Sequence, residues 1–263
     1  MIESTASREA CPGRGPGAPP VVLIHGVGFG PATLAPLAAA LERHTRVEIA
    51  VRRGYGERAH LPPAASVAEH VEDILEMLDE AGFERAVVAG MSGGATVALA
   101  LALTCPERVV AAVAHEPAVG SVAPELRALV RGALIRGGGS ELVRVLAGAD
   151  TWGRLSDAAV SALEARSALV ESDAKAFLAF EPHLAMAPAP RAGAPSPLVC
   201  SVGERSSALR FTVAERLAAR TGAPIVVVPG CGHLPQLDAP DAFAALILEQ
   251  APVPITPERT ETQ

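Results

Sequence analysis

A serine sits between glycines in Gly90-Met91-Ser92-Gly93-Gly94, with apolar runs on both sides, residues 86–90 before it and 95–103 after it. The first run reads as a buried strand, the second as a buried helix. A strand that turns directly into a helix forces the residue at the turn into a strained backbone. The close approach also leaves no room for flanking side chains, which Gly90 and Gly94 answer. The serine is then held out at the C-terminal edge of a sheet, at the positive end of a helix. A G-x-S-x-G nucleophile requires that placement, with the Gly93 N–H directed where an oxyanion would form. The pattern also occurs as an ordinary Gly-Ser turn; the strand-turn-helix context favours chemistry.

A serine hydroxyl is a weak nucleophile and needs a base. His233, in "VVVPGCGHLPQLDAP", follows the last strand-like run in a glycine-lined loop and is the candidate. Of the other histidines considered, His44, His60 and His70 read as solvated residues at a helix end, in a loop and on a helix, and His183 reads as facing water. A tetrahedral oxyanion needs a second backbone donor. In "HGVGFGP", residues 25–31, the glycines let the chain curl beneath the site, Val27 N–H is the natural donor, and His25 braces the loop. The same segment fails as a dinucleotide fingerprint because Pro31 takes the third glycine position. A phosphate-binding Walker loop is excluded, since the single lysine, Lys175, has no such context.

The elements that must position these groups follow from the rest of the 263 residues. With 49% hydrophobic residues the chain can bury a large core, and its length suits one large domain or a core with an insertion. The formal net charge of −7 and the absence of a basic patch argue against nucleic acid. Four cysteines, at 11, 105, 200 and 231, match no zinc or CxxC spacing, and Cys200 reads as a small buried hydrophobe. The first 15 residues hold no apolar signal region and no run is long enough to span a bilayer, so the expected location is cytoplasmic, without a membrane partner.

Strand-like runs "VVLIHG", "RVEIAV", "RAVVAG" and "VVAAVAH" alternate with helical patterns, including "SVAEHVEDILEMLDEAG", where Ser66 and Glu69 predict a capping box and Gly82 a helix stop. Strict alternation predicts a parallel sheet covered by helices. From about 117 to 195 only helical patterns occur: "APELRALVRGALI", "SELVRVLAG", "DAAVSALEARSALV" and "DAKAFLAF", with Gly137-Gly138-Gly139 between the first two. Alternation resumes with "LVCSVG", "FTVAERLAARTG", "PIVVVPG" and "PDAFAALILEQ". The expected parse is a core of residues 1–116 and 196–263 and a helical cap of residues 117–195.

H-G-x-G after a strand, G-x-S-G-G at the turn, a helical insertion and "PGCGHLPQLDAPDAF" near the end together resemble the α/β-hydrolase superfamily over residues 18–250. The resemblance implies an α/β fold: a mostly parallel sheet, helices on both faces, and a cap inserted between strands six and seven. It also implies a Ser-His-acid triad and no metal or organic cofactor. The family's N-terminal hairpin is shortened here, with "STASREACPG" enough for one strand. The activity implied is hydrolysis of a small ester, thioester or lactone through an acyl-enzyme on Ser92. The partner is a small-molecule substrate, partly apolar given the Ala, Leu and Val of the cap, in which Trp152, Phe177 and Phe180 are the aromatic exceptions. A homodimer is left open.

One position departs from the family pattern. The acid usually follows the strand after the cap, where this chain has Ser206. A serine cannot hold an imidazolium as a carboxylate does. Glu204 is nearby but suits a local cap. Glu116 ends the preceding core strand and is the preferred acid; Pro117 after it predicts an extended backbone there. A triad without its acid would favour a repurposed C–C hydrolase, lyase or cyclase, or a non-catalytic ligand binder.

Overall fold

The computed structural model describes residues 18–182 and 197–251. His183, Cys11, the "STASREACPG" segment and most of the linker before the fifth strand lie outside these residues. Six parallel strands form one sheet in the order β2-β1-β3-β4-β5-β6. They are β1 (Val21–Ile24), β2 (Val47–Ala50), β3 (Ala86–Met91), β4 (Val109–His115), β5 (Leu198–Gly203) and β6 (Ile225–Val228). β1, β3 and β5 are buried at every residue, as their unbroken apolar runs require of strands covered on both faces. In β2 and the edge strand β6 only one residue each is buried.

Before the insertion come α1 (Ala35–Glu42), α2 (Val67–Glu80) and α3 (Gly93–Thr104); the insertion holds α4 (Pro124–Ala147), α5 (Ala149–Trp152), α6 (Asp157–Glu164) and α7 (Ser167–Ala179); after it come α8 (Ala208–Thr221), α9 (Pro235–Asp238) and α10 (Pro240–Glu249). One core layer joins α2, α3 and α8 to one face of the sheet and carries the insertion's helices with it. The other packs α1 and α10 on the opposite face. Ser66 Oγ accepts from Glu69 N–H as expected, but the Glu69 carboxylate reaches back to Ala65 N–H rather than to Ser66. Gly82 ends the segment at φ 69°.

Between β4 and β5 the described residues 117–182 contain helices and no strand. The inserted segment thus follows the fourth described strand; the family's count of six includes strands earlier in the chain, and residues 1–17 are outside the description. Within the insertion the expected boundaries shift. Helix α4 runs through the glycine triplet with a kink, Gly137 at φ −166° and Gly138 at φ 65°. The expected helix over residues 157–170 breaks at 165–166, and its last turn joins the next to make α7. The cause is tertiary. Ser140 N–H donates to Ser167 Oγ and Gly139 N–H to Glu171, so side chains at the head of α7 cap the restart of α4. A Cβ at Gly139 would meet Ser167 O at 2.1 Å, which makes this crossing dependent on glycine.

β1 is the strand where the sheet's order reverses, since β2 lies on one side and β3 on the other. Loops leaving the C-terminal ends of β1 and β3 therefore converge at a switch point, where open α/β sheets build their sites. The approach there is extreme. A Cβ on Gly90 would lie 2.2 Å from Gly94 O, and one on Gly94 would lie 2.2 Å from Ile24 O. Gly94→Ala must move backbone, so a loss of about 3 kcal/mol or more is expected, a melting-temperature fall of about 6–12 °C. Gly132→Ala, on α4 beside only the flexible end of Arg136, should raise stability by about 0.5–1 kcal/mol. Thermal melts of the two variants check the contrast.

Candidate active site

Ser92 occupies the turn between β3 and α3 at φ 54°, ψ −119°, a conformation L-residues adopt only under constraint. Its N–H donates to His115 O, which extends the β3–β4 pairing, and its carbonyl accepts from Thr96. Backbone hydrogen bonds and the glycine contacts thus hold the strain. Its hydroxyl is left without a hydrogen bond to His233 among the described residues, a common state of a catalytic pair before substrate arrives.

The loop after β1 lies directly against this turn. A Cβ on Gly26 would sit 3.4 Å from Ser92 Cβ, and one on Gly93 would meet Val27 Cγ2 at 2.8 Å and Phe177 at 2.7 Å. Neither Val27 N–H nor Gly93 N–H has a protein partner among the described residues. Two free donors therefore flank Ser92 beneath the aromatic ring of Phe177. Trp152 and Phe180, the other cap aromatics, pack against the core instead. His25 braces the loop as expected: its Nε2 accepts from Arg52 N–H, which leaves Nδ1 to donate to Gly26 O.

Glu116 meets His233. His233 Nδ1 lies 2.6 Å from Glu116 Oε2. Glu116 Oε1 accepts from Gly203 N–H at 3.0 Å and from the Ser206 hydroxyl. Ser206, which stands where the resemblance places the usual acid, thus contributes a hydroxyl to Glu116. Glu204 is exposed, and its carboxylate caps Gly230 N–H, as expected of the lesser candidate. The extended backbone predicted for Glu116 is not found: its φ is 49°. Its N–H pairs with Ser201 O, and the turn that follows aims the carboxylate at β5 and His233. Three hydrogen bonds to a buried carboxylate outweigh a backbone cost of about 1–3 kcal/mol.

Burial alone would push the Glu116 carboxyl up, but the His233 hydrogen bond and nearby positive charge hold it well below the usual carboxylate range. His233 is pushed down to about 4 by burial and by the charge of Arg210, against the pull of Glu116. It is therefore neutral at pH 7, with the proton on Nδ1 facing the carboxylate and a lone pair on Nε2. That is the tautomer a general base needs.

A family model, described as the alpha/beta hydrolase family, matches residues 21–246. The chain belongs to that family. The chain is 36% identical over 129 residues to "Putative carbamate hydrolase RutD" of Klebsiella pneumoniae (strain 342), a match that spans 48% of each chain, so it covers about half the length of that curated relative. Among solved structures it resembles the enol-lactonase from Burkholderia xenovorans LB400, at TM-score 0.68 and 22% identity over 89% of this chain and 91% of that one. It also resembles Est816, described as an N-acyl homoserine lactone degrading enzyme, at TM-score 0.71 and 20% identity over 88% and 92%. These likenesses establish the fold. No helix among the described residues is long and apolar enough to cross a membrane.

Several site residues escaped the sequence. His70 is buried, not solvated: its Nε2 lies 3.2 Å from Arg52 Nη1, and its ring stacks on Phe177. His115 is buried beneath the base loop. Its Nε2 must donate to Gly232 O, so its Nδ1 accepts from Ser201 Oγ. Arg52 Nη2 and the Tyr55 hydroxyl both reach Asp173 Oδ2 on α7, and Tyr55 also accepts from Gly28 N–H. Arg210 projects from the first turn of α8, a turn that sequence patterning placed in the preceding loop. An arginine in an otherwise apolar helical stripe, with Val213 and Leu217 one and two turns on, was the available signal.

His25, His70, His115 and His233 all sit below the ordinary histidine value, burial being the largest cause in each. The unfolded chain takes up protons at these residues near pH 6.5, while the folded chain resists, His233 until about pH 4 and His70 until about pH 2. Stability is therefore full above pH 6.5 and falls below it, by roughly 1 kcal/mol per pH unit per histidine. Urea midpoints should be clearly lower at pH 5.5 than at pH 7.5; equal midpoints would contradict the neutral, buried assignment.

Proposed function

We propose that the chain is a serine hydrolase that cleaves a small ester, thioester or lactone through an acyl-enzyme. The observation that carries this reading is the His233–Glu116 contact of 2.6 Å beside a serine held at φ 54° at the head of a helix. Ser92 Oγ attacks the substrate carbonyl and passes its proton to His233 Nε2. Val27 and Gly93 N–H groups hold the oxyanion. Collapse restores the carbonyl and breaks the bond from its carbon to the leaving oxygen or sulfur, and the departing alkoxide or thiolate takes the proton from His233. A water activated by the same nitrogen then releases the acid. Glu116 stays ionised, fixing the tautomer and stabilising the imidazolium.

The recess beside the serine supports a small acyl group. The recess over Ser92 is about 30 Å³ and is lined by Leu126, Val130, Leu142, Ala174, Phe177 and Arg210, among others. Most small-molecule pockets reach roughly 300–1,000 Å³, so a large acyl chain would have to displace the insertion, which we read as a cap over residues 117–195. The lactone-acting structural neighbours favour a lactone within the ester class. A carbamate, with the same carbonyl geometry, is the second reading, favoured by the name of the 36%-identical relative.

A fluorophosphonate should label the protein at Ser92, and Ser92→Ala should lose both label and esterase turnover by at least about 10⁴-fold with an unchanged melting temperature. Glu116→Gln should cost up to about 10⁴-fold in kcat, whereas Glu204→Gln should stay within a few-fold. Steady-state rates on 4-nitrophenyl acetate, with mass spectrometry of the labelled peptide, decide. Retained turnover in Ser92→Ala would remove the nucleophile assignment.

A further inference from the structure

Arg210 is buried, its side chain 7% exposed, and its polar atoms are poorly served. Nη2 is 3.4 Å from His233 Nε2, Nε is 3.5 Å from Glu116 Oε2, and Nη1 has no partner. The one carboxylate beside it cannot do more, because Glu116 already accepts from His233, Gly203 and Ser206. A buried donor left unpaired is costly, and one on a cation more so.

Its place in the site gives that cost a use. Arg210 and Leu146 are the two residues shared by the recess over Ser92 and a larger cleft of about 390 Å³ that holds His233. The guanidinium stands where the two spaces meet. Ser206 and Ser207, at the positive end of the 14-residue helix α8, line the same cleft. The other charged groups there are Arg154 and Arg205, both paired with Asp238, and Glu116. Arg154, Arg205 and Arg210 against Glu116 and Asp238 give three positive charges and two negative, so the cleft as a whole carries an excess of one positive charge.

The resting contact also opposes catalysis. Nη2 faces the lone pair that must take the Ser92 proton, and a guanidinium beside His233 disfavours the imidazolium. An anion on Arg210 removes both obstacles.

Resting on the serine-hydrolase reading, the geometry points to a substrate whose acyl part carries a carboxylate. That carboxylate is bound by Nη1 and Nη2 of Arg210, and its binding draws the guanidinium off His233 Nε2. Arg210 is thus the residue that selects anionic acyl groups for this site. A planar fork suits a carboxylate in two-point contact, which a lysine cannot reproduce.

The test compares 4-nitrophenyl monoesters of malonic, succinic and glutaric acids with their neutral methyl diester counterparts. The wild-type enzyme should prefer the acid by about ten- to a hundredfold in kcat/KM in at least one pair, the scale of a charged hydrogen bond. Arg210→Gln and Arg210→Met should reduce that preference to within about twofold, chiefly through KM for the acid, and Arg210→Lys should retain part of it. The acidic limb of the pH–rate profile on neutral ester should move upward in Arg210→Gln, because a positive neighbour no longer lowers His233. If the Gln and Met variants do not fold, protection of wild-type Ser92 from fluorophosphonate by free monomethyl succinate or glutarate, but not by the dimethyl esters, replaces them. Neutral esters cleaved as well as acids in every pair would overturn the inference while leaving the hydrolase reading intact. A preference that survives in Arg210→Gln would overturn the assignment to Arg210. No turnover of any ester and no label at Ser92 would overturn the hydrolase reading itself.

Discussion

The carboxylate of Glu116 is the point through which the site's separate pieces are held together. Its two oxygens take donors from three places: the end of β5 through Gly203, the following loop through Ser206, and the loop after β6 through His233. None of these segments is adjacent in sequence to residue 116. Carboxylate and histidine are withdrawn from water, so the bond between them is stronger than it would be in solvent and loss of either strands a buried polar group. His115, one residue earlier, lies with its Nε2 3.6 Å from Glu116 Oε1 and grips Gly232 O, which fixes the residue immediately before the base. Two neighbours on one strand end thus locate His233 from both its side chain and its backbone.

The oxyanion side is tied down by a different charge pair. Arg52 and Asp173 form an ion pair at 2.7 Å with side chains 1% and 0% exposed. Asp173 belongs to α7, while Arg52 holds Gly26 O and, through its backbone, His25. Tyr55 closes the circuit from Asp173 to Gly28 N–H. The insertion is therefore bonded to the backbone that carries the Val27 donor. Such a pair contributes little net stability because desolvation offsets its attraction, but breaking one side of it costs about 3–5 kcal/mol. Its role here is placement: the segment above the site and the loop beneath it move together or not at all.

The sequence made the sheet and the two backbone turns readable because each depends on local pattern. Runs such as "VVAAVAH" and "LVCSVG" are bounded as β4 and β5 are, residue for residue. Gly90 and Gly94 could be interpreted because only a steric demand explains glycine on both sides of a serine in an apolar run. Glu116 was reachable through the family resemblance, since the usual acid position reads Ser206 and Glu116 stands at the C-terminal end of the preceding core strand. What could not be read was set by tertiary contact. The break at residues 165–166 exists because the head of α7 caps the restarted α4. His70 looked solvated on an amphipathic helix, and only the fold shows that its face meets Arg52 and Phe177. The left-handed φ at Glu116 contradicts the local preference before proline, and three long-range hydrogen bonds are the reason.

Charge balance around the base sets the remaining constraint. At rest, Glu116 and Arg210 cancel and His233 is neutral, so the buried group carries no net charge. In the acyl transfer we propose, His233 becomes positive, and the compensating oxyanion forms on the far side, at Val27 and Gly93. Two positive charges at 4 Å cost about 4 kcal/mol at the dielectric usual near a protein surface, and more in drier surroundings. Glu116 offsets this for His233 through its 2.6 Å contact, but at 3.5 Å from Arg210 Nε it serves both cations only in part. A family triad without such an arginine needs one carboxylate for one imidazolium. This site has an additional buried cation, Arg210, so one carboxylate faces both the guanidinium and the base.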